Sequence, residues 1–176
     1  MTRFSSRYIV TQLAFDTTQF LTSARVIPAA RLTDYRVESP ADPYLKQMNQ
    51  TSDVRLRTLF ARDALNEDPL CVEANFYLAL RARTNETRIE YLNAAIVGGK
   101  ALWSDVADEW GMDMDWMACR PLMSYWQSVA ALGYTYEAMG DVEKARLYFQ
   151  RAIDMHHDFD IEEKLADMNR GMGLRA

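Results

Sequence analysis

The stretch from Trp103 to Met117 combines acidic and aromatic side chains. Its five acids alternate irregularly with three tryptophans: Asp105, Asp108, Glu109, Asp113 and Asp115, with Trp103, Trp110 and Trp116. Carboxylates at this density could hold a divalent cation or bind a basic partner. The spacing lacks the alternate Asx positions, central glycine and closing glutamate of a calcium loop. We therefore predict no metal site, but a short helix or structured loop whose aromatic side packs and whose acids face water.

His156 and His157 lie among Asp154, Asp158 and Asp160, a composition that could suggest acid–base chemistry. Adjacent residues of a helix point roughly 100° apart, so the two imidazoles cannot serve one centre. The chain also lacks the short motifs of nucleotide binding, zinc hydrolysis and serine hydrolysis. We predict no catalytic residue and no cofactor. A metal-assisted hydrolase that uses the acidic stretch is the least favoured alternative.

Composition excludes several classes of protein. The chain has 176 residues, 49% of them hydrophobic and 26% charged, which suits a globular core of one domain. A formal charge of −5 and the absence of a Lys/Arg run argue against nucleic-acid binding. No apolar run is long enough to span a membrane, and no signal-peptide pattern is present, so we expect a cytoplasmic protein. Cys71 and Cys119 lack CxxC spacing and are predicted to be buried, reduced thiols.

The chain divides into an N-terminal segment, residues 1–50, and a helical domain, residues 51–176. The first segment is predicted to be a helix followed by an irregular arm between Arg25 and Pro43, since prolines interrupt any regular pattern there. In the second, Ser52 or Asp53 can cap a helix that ends at Asp68-Pro69. The remaining predicted helices run from Leu70 to Thr84, from Glu86 to Gly98-Gly99, from Pro121 to Met139, from Asp141 to His157 and from Ile161 to Arg170. An insertion is expected near residues 98–120.

Small and large residues alternate in a specific pattern after Val129. The pattern consists of Leu132-Gly133, Tyr136, Gly140-Asp141, Ala145, Phe149 and Ala152. With Gly133 and Ala145, two antiparallel helices can approach closely, and Gly140 can reverse the chain between them. Residues 122–157 resemble the tetratricopeptide repeat (TPR) family by this spacing. An earlier, degenerate copy has Leu78-Ala79 in the place of Leu132-Gly133.

The resemblance implies an all-α fold, a right-handed array of antiparallel helical hairpins with an irregular N-terminal arm. In that family the first helix of each hairpin lines a concave groove. The groove residues implied here are Phe76, Leu80, Gln127, Ala130, Tyr134 and Glu137. The alternative for Phe76 and Leu80 is that they are core, because apolar residues at helical spacing are core by default. A clamp for two carboxylates is not expected, since its Lys and Asn positions are apolar or aromatic here.

The helical register places Tyr134 and Tyr136 on different faces of their helix. If Tyr136 faces the companion helix of its hairpin, Tyr134 and Glu137 project from another face, one turn apart. We therefore predict an adaptor or scaffold that binds a protein or peptide partner with apolar anchors in the groove. The alternative function is a homo-oligomeric structural protein that assembles through the aromatic and acidic insertion.

Overall fold

The computed structural model describes residues 39–110 and 120–173, with side chains described for residues 39–102 and 120–170. All regular structure in these ranges is helical, which confirms the predicted all-α class. The helices are α1 (Asp42–Gln50), α2 (Val54–Glu67), α3 (Val72–Arg81), α4 (Asn85–Trp110), α5 (Arg120–Met139), α6 (Val142–Met155) and α7 (Phe159–Gly173). The N-terminal helix and most of the arm predicted before residue 39 lie outside the described residues. Only the last part of that segment, with Pro43 in the first turn of α1, is described.

Local signals explain where most helices begin and end. The Asp53 carboxylate accepts hydrogen bonds from the backbone N–H groups of Arg55 and Leu56, so the predicted cap of α2 is confirmed. Asp68 closes the same helix before Pro69. Asp141 caps α6 through the N–H of Lys144, and Gly140 adopts a φ of 81°, a conformation that glycine reaches without strain. The turn predicted at Gly140-Asp141 is therefore confirmed.

Consecutive helices pack against each other, and α3 also packs against α5. One buried cluster joins α1, α2 and α3 around Leu45, Met48 and Tyr77. A second lies between α3, α4 and α5, with Leu92 and Leu132 at its centre. The largest joins α5, α6 and α7 to parts of α3 and α4. The three clusters together extend the buried core from α1 to α7.

The prediction that Gly98 and Gly99 end a helix is wrong, because both residues lie inside α4. The helix continues through both residues to Trp110, a length of 26 residues. A Cβ atom on Gly98 would overlap the carbonyl oxygen of Leu70, and one on Gly99 would overlap the Tyr125 ring. The two glycines therefore permit close packing rather than a stop, and the first part of the predicted insertion is helical.

Helices α5 and α6 approach closely at Gly133, as its small size predicts. The residue that faces this glycine is Phe149, however, and not Ala145. The ring of Phe149, which is completely buried, occupies the space where Gly133 would carry a Cβ. Ala145 and Ala152 are also completely buried on α6. The indole Nε1 of Trp126 donates to the carbonyl oxygen of Ala152 at 3.0 Å, which adds a specific bond across the pair. None of the described helices is long and apolar enough to cross a bilayer.

Candidate functional site

Phe76 and Leu80 lie on α3, in the cluster formed with α4 and α5. Phe76 is only 7% exposed and packs with Leu92 and Leu132, while Leu80 is half-buried beside them. Phe76 is therefore a core residue. Leu80 retains a solvent-facing part, and a role in binding a partner stays a prediction for it.

Gln127 and Ala130 lie on α5, the helix that other parts of the chain cover most completely. Gln127 is 3% exposed and Ala130 is completely buried. Packing of α5 against α3, α4 and α6 accounts for burial on several sides of this helix. A partner could reach these two side chains only if part of the fold moved. Sequence periodicity alone does not show that both positions are buried.

Tyr134 requires a correction, because it does not project away from the companion helix. Its ring meets Phe149 of α6 edge to face, with ring centroids 4.9 Å apart and planes at 75°. Burial, followed by the negative charges of Asp158, Asp160 and Glu137, raises the pKa of the Tyr134 hydroxyl well above its usual value. The side chain is half-buried and belongs to the packing of the largest cluster.

Glu137 keeps part of its side chain exposed to solvent, and α7 already contacts it. Its carboxylate lies 2.9 Å from the ammonium of Lys164, and both side chains are about one-third exposed. The same ammonium lies 5.4 Å from the centre of the Tyr134 ring. Glu137, Tyr134 and Lys164 therefore form one cluster, the α5–α7 cluster, and the sequence pattern did not indicate its third member.

Tyr136 faces the companion helix, as its register predicts. Its ring stacks on Tyr148 of α6, with centroids 5.6 Å apart and planes 13° from parallel. The ammonium of Lys144 lies 4.9 Å from the Tyr136 ring and 2.8 Å from the Asp141 carboxylate. The resulting contacts tie the turn at Gly140 to the body of the hairpin.

The side chains described here do not assemble a metal site. No group of three or more His, Cys, Asp or Glu residues among them has a geometry that could hold a metal ion. His157 pairs with Glu162, whereas the His156 ring packs in a T-shaped contact with Trp126, so the two imidazoles have different neighbours. The acids predicted to face water between Asp105 and Asp115 lie outside the described side chains.

A second polar cluster, which sequence reasoning missed, surrounds Tyr77 of α3. The guanidinium carbons of Arg57 and Arg81 lie 5.1 and 5.7 Å from the centre of the Tyr77 ring. We call these three residues the arginine–tyrosine cluster. Arg81 follows Tyr77 by four residues on one helix, a spacing that the sequence does show. Arg57 comes from α2, so its part in the cluster depends on how the two helices pack.

Comparison of the chain with protein-family models, curated proteins and solved structures finds no match to any of them.

Proposed function

We propose that this protein is an adaptor or scaffold that binds a partner polypeptide through a right-handed, TPR-like array of helical hairpins. The observation that carries the proposal is the packing of α5 against α3 as well as against its chain neighbours α4 and α6. Contact between the first helices of successive hairpins is typical of stacked repeats, which bind partners along an extended surface. The spacing of Gly133, Ala145 and Phe149 supports the same proposal.

Within that surface, the contact residues are the ones that keep solvent access. Leu80 offers a half-buried apolar side chain on α3, and Glu137 offers a carboxylate on α5. A partner that carries an apolar anchor and a basic side chain suits these two residues, because the basic group can share the Glu137 carboxylate with Lys164. Phe76 and Gln127 then support the surface from within rather than touching the partner.

Selection from a random peptide display library on the immobilised full-length chain tests the proposal. Selected peptides are synthesised and titrated against the wild type, Leu80→Ala and Glu137→Gln. Both substitutions are expected to weaken binding, because each removes a contact that the partner uses. Leu147→Ala and Glu143→Gln are matched controls, since both side chains are exposed on α6.

Three outcomes count against the proposal. The library can yield no peptide that binds the folded chain, or the selected peptides can bind all four variants equally. Light scattering coupled to size-exclusion chromatography can also show a stable assembly of copies that no peptide engages. That last result would favour the homo-oligomeric alternative.

A further inference from the structure

The arginine–tyrosine cluster contains hydrogen-bond donors without acceptors. The hydroxyl of Tyr77 and the Nε of Arg57 are both buried, and neither has a hydrogen-bond partner in the part of the chain that the structure describes. Tyr77 as a whole is 8% exposed. Burial of an unsatisfied donor is unfavourable, and most buried polar groups in proteins are paired. Two such donors in one contact mean that the cluster has no hydrogen-bond acceptor among the described residues.

The charges of the cluster indicate the kind of acceptor. Within the described residues, neither Arg57 nor Arg81 forms an ion pair with a carboxylate. Asp53, one turn before Arg57, uses its carboxylate to cap α2. Both guanidinium groups lie within about 6 Å of one ring, the range in which the aromatic face attracts a cation. The Tyr77 ring therefore holds two unpaired positive charges near each other.

We propose that the arginine–tyrosine cluster binds the carboxylates of an acidic peptide segment, an inference that rests on the proposed protein-binding function. A carboxylate matches the edge of a guanidinium through two parallel hydrogen bonds, and the two terminal Nη groups of half-buried Arg57 form such an edge, whereas its Nε is enclosed by the protein. Arg81, on the exposed end of α3, takes a second carboxylate of the same segment.

Apolar surface beside the cluster favours a peptide over a bare anion. Val54 precedes Arg57 by one turn of α2 and is 45% exposed. The chain carries a formal charge of −5, which disfavours anions that approach without other contacts. A segment with adjacent acidic and apolar side chains can use Arg57, Arg81 and Val54 together. This surface adjoins the cluster of α1, α2 and α3, whereas Phe76 and Leu80 belong to the cluster with Leu92.

The test uses fluorescence anisotropy with the full-length chain and a labelled peptide of repeating Glu-Glu-Leu units. A peptide of Gln-Gln-Leu units is the matched neutral probe. We expect the acidic peptide to bind and the neutral peptide to bind at least tenfold more weakly. Arg57→Gln and Arg81→Gln should each weaken acidic-peptide binding about tenfold or more, because each removes charge-assisted hydrogen bonds. Arg57→Lys should also weaken it, since lysine keeps the charge without the planar fork.

Arg55→Gln is the control, because it makes the same change of charge on an exposed position of α2. It should leave acidic-peptide binding within about twofold of the wild type, since screened surface charges contribute little. Thermal unfolding establishes that each variant is folded. Arg81 is exposed, so Arg81→Gln carries the test if Arg57→Gln fails to fold.

Four results overturn the inference: no binding of the acidic peptide, equal binding of the neutral peptide, equal losses for Arg55→Gln and Arg81→Gln, or binding only when the glutamates are replaced by phosphoserines. The last result would assign the cluster to phosphate instead. Peptides from the display selection that depend on Leu80 and Glu137 would leave the proposed function standing if the acidic peptide fails. Conversely, the acidic peptide can bind at Arg57 and Arg81 when no selected peptide uses Leu80 or Glu137.

Discussion

Phe149 of α6 lies directly over Gly133 of α5, and a Cβ atom on this glycine would be 2.6 Å from two ring carbons of the phenylalanine. Carbon atoms do not approach so closely, and the ring is completely buried, so it has little room to move. Gly133 therefore determines how near α5 and α6 can come, and substitutions at this contact test the hairpin most directly.

Gly133→Ala is expected to lower the free energy of unfolding by about 1 to 3 kcal/mol, because the added methyl overpacks the contact with Phe149. A loss of stability would be diagnostic, because in a helix without this contact the change from glycine to alanine is favourable by about 1 kcal/mol. Urea unfolding followed by circular dichroism measures the change. A gain in stability would contradict the close approach of these helices.

Ala145→Leu should likewise cost about 1 to 3 kcal/mol, because Ala145 is completely buried beside Phe149 and Ala152. Ala138→Leu adds the same side chain at an exposed position of α5, which makes it a matched control. The thermal midpoint should fall for the first variant and stay near the wild-type value for the second. Equal midpoints for Ala145→Leu and the wild type would contradict the hairpin packing.

Gly98→Ala is expected to be destabilising although the position is inside a helix. The new methyl group meets the backbone carbonyl of Leu70, which cannot turn away as a side chain could. Chemical denaturation should show a loss of more than about 1 kcal/mol. Ala101→Gly, at an exposed position of the same helix, should cost only about 1 kcal/mol through helix propensity. A Gly98→Ala variant as stable as the wild type would mean that α4 does not pack on Leu70.

Tyr134→Ala should destabilise the protein, in contrast to the surface role that its register predicts. The substitution removes the contact with Phe149 and the ring beneath Lys164, and we expect a loss of about 2 kcal/mol. Lys164→Gln removes the partly exposed pair with Glu137 and the ammonium above the Tyr134 ring, and it should cost less than about 1 kcal/mol. If Tyr134→Ala and Lys164→Gln lower the thermal midpoint by the same small amount, Tyr134 is a surface residue.

Cys71 should resist thiol reagents while the protein is folded. Burial raises the pKa of its thiol from 9.0 to about 12, so almost no reactive thiolate exists at pH 8. In a Cys119→Ser variant, which leaves Cys71 as the only thiol, Ellman's reagent should label the native protein slowly and the urea-unfolded protein at once. Rapid labelling of the native variant would contradict the burial of Cys71.

The same shift predicts a pH dependence of stability. The unfolded thiol loses its proton above about pH 9 while the folded thiol keeps it, so the contribution of Cys71 is complete below pH 9. It decreases as the pH rises from 9 towards 12. Cys71→Ala should remove this part of the alkaline loss, as measured by urea unfolding at pH 8 and pH 10.

Sequence alone determined the features that depend on neighbouring residues. Asp53 and Asp141 cap helices because their carboxylates reach backbone N–H groups two or three positions ahead. Gly140 reverses the chain because glycine tolerates a positive φ. The 3.6-residue period of apolar side chains likewise suffices for the all-α class. These signals act over one or two helical turns, so no knowledge of distant contacts is needed to interpret them.

Tertiary structure decided the features in which one residue serves a distant one. Gly98 and Gly99 resemble a helix stop in the sequence, yet they lie inside α4. Their lack of a side chain lets the Leu70 carbonyl and the Tyr125 ring pack against this helix. Tyr134 has the register of a surface residue, but the closeness that Gly133 permits brings Phe149 against it. Arg57 meets Tyr77 only because α2 packs on α3. Helical periodicity specifies which face a side chain occupies, and packing between helices decides what covers that face.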